Sequence, residues 1–135
     1  MNTESHPLIR QAYAIVDGIP SNRIKLSKIA THRNPNNSRT VACPAGWIAM
    51  HPMFMSLGLD LKYHKEVGYI LTLPGETDKW WDQILSQVFN IPVSDAARIF
   101  GPRGHVHDFT NTITYTSDKE VWQRRVHRFL GISKD

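Results

Sequence analysis

Leu8, Ile9, Ala12, Tyr13 and Val16 recur at helical spacing near the start of the chain. They predict a first helix, capped by Ser5, with Pro7 tolerated in its opening turn. Gly18 ends it and Pro20 prevents its resumption. The pattern then changes. Ile24 and Leu26 alternate with Arg23, Lys25 and Ser27, which fits a short strand or an extended arm. Residues 32–39, HRNPNNSR, have the composition of a loop.

From Thr40 to Leu59 the apolar positions fall nearly all round a helix, the pattern of a segment that forms the core. Pro44 suits the first turn of a short helix carrying Ala45, Trp47, Ile48 and Met50. Pro52 begins a second, with Met53, Phe54 and Leu57, closed by Gly58. Residues 59–63 and 69–73 partly alternate, and Gly68 lies between them. A β-hairpin with a loop of about five residues is expected.

Thr77, followed by Asp78 and Asp82, predicts the start of a helix with Trp80, Trp81, Ile84, Leu85 and Val88 on its apolar face. Asn90 and Pro92 break the chain. Ser94 caps a short helix bearing Ala96, Ala97, Ile99 and Phe100, stopped by Gly101. Residues 102–108 read as a loop and residues 110–115 as a short strand. Ser117 with Glu120 forms a capping box for a last helix. Trp122, Val126, Phe129 and Leu130 lie on one side of it and Gly131 ends it. The expected fold is α+β: about five helices packed with a small antiparallel hairpin or short sheet, in one domain over residues 1–135.

Length agrees with one core and leaves no room for a second. No run is apolar enough for a transmembrane helix, and the N-terminus has no signal pattern, so no membrane role is expected. The single cysteine, Cys43, forbids an intramolecular disulfide and fits a reducing cytoplasm.

Charge sharpens the picture more than composition does. The net charge is only +4, but it is segregated. From Gly18 to Leu59 there is no acid, while Arg23, Lys25, Lys28, Arg33 and Arg39 are all basic. The middle of the chain is acidic. The last helix is basic again, and spacing puts Arg124, Arg125 and Arg128 away from its apolar face. Together these bases form a candidate patch for phosphates or for an acidic protein surface.

Catalytic signals are sparse. Cys43 precedes a predicted helix, where a thiol can be activated. Its apolar neighbours favour a packed small hydrophobe. His105 and His107 alternate as two metal ligands would, with Asp108 or Cys43 as further partners. With the rest of the ligand set unassigned, two solvated loop histidines are favoured. That pair is the basis of an alternative reading as a metal-dependent hydrolase. There is no phosphate-binding glycine loop and no GxSxG elbow, and no cofactor is expected. The helices across residues 77–100 have the layout of a helix-turn-helix. The second offers only one base, Arg98, beside Asp95, so two packed core helices are favoured over a DNA reader. Trp80 and Trp81 are adjacent and cannot both point inward, so one of them is a candidate exposed aromatic.

The stretch TVACPAGWIAMHPMFMSLGL resembles a pattern found in small uncharacterised proteins of bacteriophages and prophages: T-x-x-C-x-x-G-W, then P-x-F, then G-L. VFNIPVSDAARIFG is similar to their F-G-I-x-x-x-x-A-x-x-L-F helix pair, with Asn90 for Gly and Ile99 for Leu. EVWQRRVHRFL is similar to their closing helix. Ser38 stands where the pattern often has a second cysteine, so no thiol pair is implied. The resemblance implies a non-enzymatic accessory protein in the cytoplasm of a bacterial host, acting by macromolecular binding. An anti-CRISPR-like inhibitor of a host defence complex is its sharpest form. The implied partner is a host protein or nucleoprotein complex, or nucleic acid itself.

Overall fold

The structure is a computed structural model that describes residues 6–76, 79–102 and 117–131. Among these residues there are six α-helices and one two-stranded antiparallel sheet. The α+β class expected from the pattern is the one observed.

Helix α1 spans Pro7–Asp17 and buries Ile9, Ala12 and Val16. His6 occupies its N-cap position with a positive φ of 53° and no capping side-chain bond; Ser5, the expected cap, lies outside the described residues. A 3-10 turn at Ser21–Arg23 follows, and the arm after it is irregular and not the extended segment expected: Ile24 is extended, but a turn over residues 25–28 then brings Lys28 N–H to the Lys25 carbonyl. The arm makes isolated bridges with Ala42 instead of a strand. Lys25 N–H donates to the Ala42 carbonyl at 3.1 Å, and Cys43 N–H to the Lys28 carbonyl at 2.8 Å. Ile24 and Leu26 point into the core, as their alternation predicts, and Lys28 stays exposed.

Helices α2 (Pro44–Ala49) and α3 (Pro52–Met55) each begin with proline. All of α2 is buried. Only Phe54 is buried in α3; Met55 and Leu57 are exposed, so the apolar pattern overstated burial at this end.

Strands β1 (Asp60–His64) and β2 (Gly68–Thr72) pair antiparallel, Leu61 opposite Leu71 and Tyr63 opposite Tyr69. Gly68 has φ 87°, which glycine adopts without strain, and it opens β2 at the turn. Leu61 and Leu71 face the core, while Tyr63 and Tyr69 pack edge to face beyond them.

Helix α4 (Trp81–Phe89) starts later than Thr77, which is outside the described residues. Gln83 Oε1 accepts from the Trp80 backbone N–H at 2.9 Å and so ties down the first turn. Asn90 ends α4 in the left-handed conformation. Helix α5 (Val93–Phe100) enters from Pro92, not from a Ser94 cap. Proline's fixed φ suits that position, which places Ser94 inside the first turn. Helix α6 (Asp118–Leu130) is capped by Ser117, whose Oγ accepts from Glu120 N–H at 3.2 Å. The expected strand at 110–115, and the loop after Pro102, lie outside the described residues.

Five aromatic rings run in contact through the core: Tyr13, Trp122, Phe100, Phe89 and Phe54. They tie α1, α6, α5, α4 and α3 into one packed body, because each ring buries a large apolar area against the next. Helices α1 and α6 are antiparallel: the His6 ring packs tilted against Phe129 at one end, and Gln123 Nε2 reaches Asp17 at the other.

Candidate binding groove

The CPAGW motif turns out to be a packing junction. Cys43 sits at the N-cap of α2, its sulfur accepting from Gly46 N–H at 3.4 Å. It is 3% exposed, and burial pushes its thiol up to about 11. A thiol so raised is protonated at neutral pH and is no nucleophile. Gly46 passes under the arm so closely that a Cβ there would lie 1.9 Å from the Ile29 carbonyl oxygen. Trp47 Nε1 donates to the Arg23 carbonyl at 2.8 Å. The motif's three spaced residues therefore hold the arm against α2.

Arg23 belongs to the same junction. Its guanidinium lies 5.0 Å from the Trp47 ring centroid and donates to the carbonyls of Asn37 and Thr40. It fastens the Asn-rich loop and is committed to structure. Arg33 is paired with Asp60 at 2.8 and 3.0 Å. Lys25, Lys28 and Arg39 remain exposed on the arm and loop.

The last helix corrects the sequence reading most sharply. Arg125 was expected in solvent and is 1% exposed. Its Nη1 donates to the carbonyls of Ile99 at 3.3 Å and Gly101 at 2.6 Å. A fixed cation thus meets the negative end of α5, which offsets the cost of its burial. Helical spacing missed this because α5 covers more of α6 than the apolar stripe marks. Lys119 performs the same service for α1, donating to the carbonyls of Asp17 and Ile19. Arg124 is paired with Glu120 at 3.1 Å, and Arg128 is exposed.

Of the candidate basic patch, Arg23 and Arg125 are engaged by backbone carbonyls, and Arg33 and Arg124 by carboxylates. The arm meets α6 at its acidic start, where Asp118 accepts from Leu26 N–H at 2.8 Å. Arg124 and Arg128 lie six and ten residues further along, about 9 and 15 Å at the helical rise. Arg98, the candidate DNA contact, stands 3.7 Å from Asp95. His105 and His107 lie outside the described residues. Among the described residues no group of three or more His, Cys, Asp or Glu side chains could hold a metal. Nor is any helix among them long and apolar enough to cross a membrane.

The adjacent tryptophans divide as expected. Trp81 is half-buried against the core, and Trp80 is 74% exposed. Trp80 lines a groove of about 350 Å³ between β2 and the start of α4. Val67, at the hairpin turn, is 70% exposed and lines the same groove, with Tyr69, Ile70 and Leu71 of β2. Val67 and Trp80 are the two most exposed large apolar side chains among the described residues. A smaller cavity of about 120 Å³, bordered by Lys28 and Cys43, adjoins this groove through Ile29 and Trp81. Sequence reasoning found Trp80 through its adjacency to Trp81. It had no signal for Val67, because a single valine in a turn becomes informative only when β2 carries it beside Trp80.

Comparison of the chain with family models, with curated proteins and with solved structures finds no match.

Proposed function

We propose that the chain is a non-enzymatic accessory protein of phage or prophage type that acts by macromolecular binding, with a host defence complex as the target in its sharpest form. The working surface is the groove between β2 and Trp80. The observation that carries this reading is the concentration of exposed apolar area: Val67 and Trp80 line one groove together. Scattered surface apolar residues are ordinary, but a contiguous set around a concave site returns free energy when a partner covers it, at about 25 cal/mol per Å². Burial of Cys43, which pushes its thiol up, weighs against a cysteine nucleophile.

The helix pair α4–α5 has less support as a DNA reader. Arg98 already faces Asp95, and the exposed positions Val93 and Ser94 carry no charge.

The test is affinity capture from a bacterial host lysate with the unaltered protein and with Val67→Ser/Trp80→Ala. The expected result is a specific host protein or complex retained by the first and lost by the second. Equal capture by both would refute the groove as the working surface.

A further inference from the structure

Resting on the binding reading above, we infer that the groove receives an extended acidic peptide segment of a partner protein. Its apolar side chains would enter the space beside Trp80, and its carboxylates would meet Lys28 and Lys79. Three features of the site lead there.

The first is charge. The groove and its adjoining cavity have only two charged residues among their described lining residues, Lys79 and Lys28, and no carboxylate. Lys79 is 3.7 Å from Glu76, both partly exposed. An exposed pair of that length contributes little and leaves the ammonium able to take a second carboxylate. An apolar floor edged by ammonium groups complements a segment that carries both apolar and acidic side chains.

The second is shape. Tyr69, Ile70 and Leu71 are consecutive in β2, and all three line the groove. Successive strand residues point to opposite faces, so a groove touching three in a row runs along the strand's edge. An extended chain matches that course, as peptides do when they lie beside a strand.

The third is the character of the walls. Ile29, Val67, Ile70 and Leu71 are aliphatic, and they accept aliphatic side chains. A single-stranded nucleic acid would need several open aromatic faces and a track of cations. Trp80 alone is largely open here, beside two lysines.

The experiment is to pan a random peptide display library on the purified full chain and to measure the synthesised winner on variants. The expected winners alternate Asp or Glu with aliphatic residues. Lys28→Glu/Lys79→Glu, both at exposed positions, is expected to weaken the winner by about tenfold or more, and added salt to weaken it further. Trp80→Ala is expected to weaken it as well. If Trp80→Ala abolishes binding and the lysine variant leaves it intact, the groove stands as a binding surface and the acidic occupant is overturned. If neither variant matters, both readings fall. Absence of enriched acidic sequences, or tighter groove binding by a labelled oligothymidylate, also overturns the peptide assignment.

Discussion

Trp47 lies in the apolar run VACPAGWIAM and Trp80 in the charged run GETDKWWDQ, and the two end in opposite surroundings. Trp47 is 3% exposed, with its ring under Arg23 and its indole N–H bonded to the Arg23 carbonyl. Trp80 is 74% exposed and lines a groove. The difference lies in what the main chain does next to each. Beside Trp47 the arm crosses α2 at Gly46, closer than any side chain there would allow, so the apolar surface is covered from within. At Trp80 a groove remains between β2 and the start of α4. A large indole is thus covered where backbone crosses it and open where none does.

The strongest way to break this comparison is at the covered side. Arg125→Glu replaces a buried cation with a carboxylate facing the carbonyls of Ile99 and Gly101. A loss of about 3–5 kcal/mol in unfolding free energy is expected, against less than about 0.5 kcal/mol for Arg124→Ala, whose pair with Glu120 is exposed. Urea unfolding of the two variants checks it; equal effects would mean that Arg125 does not hold the end of α5.

Gly46→Ala tests the arm crossing. Its Cβ would meet the Ile29 carbonyl oxygen at 1.9 Å, a backbone atom that yields only if the arm lifts. The expected cost is about 3 kcal/mol, read as a lower urea midpoint. A midpoint equal to that of the unaltered chain would contradict the close crossing.

Cys43 probes the same junction chemically. Burial raises its thiol from the ordinary 9.0 to about 11, which leaves roughly a hundredfold less thiolate at neutral pH. Labelling by a disulfide reagent is expected to be slower by at least that factor than in urea. The sign of the pH linkage follows. Below pH 9.0 the thiol is protonated in both states and is neutral to stability. Between 9.0 and about 11 the unfolded chain ionises first, so stability falls as pH rises through that window. Rapid labelling of the folded chain would place Cys43 outside the packed core.

How much of this was legible in the sequence varies with the kind of residue. Periodicity located α1, the hairpin, the α4–α5 pair and α6, because each buries a stripe or a face against its neighbours. Helix starts were read less well. Pro92 supplies by backbone geometry what a Ser94 side chain was expected to supply, and α4 is held by Gln83 reaching back. The basic segments misled for a physical reason. Position along the chain does not mark which cations face water: Arg23, Lys119 and Arg125 are spent on backbone carbonyls. Pairing with carbonyls leaves no acid in the sequence to mark it. The groove was half legible. The Trp80–Trp81 doublet forces one indole outward, whereas Val67 reaches the site only through the hairpin register.

The smallest expected effect on stability sits on the open side, and it carries the central claim. Trp80→Ala should be measured for urea unfolding and for peptide binding on the same preparation. An uncovered recognition surface predicts an unfolding free energy within about 0.5 kcal/mol of the unaltered chain, together with at least about a tenfold loss of binding. A stability loss above about 2 kcal/mol would make Trp80 part of the core, and unchanged binding would remove the groove from function; either result contradicts the account.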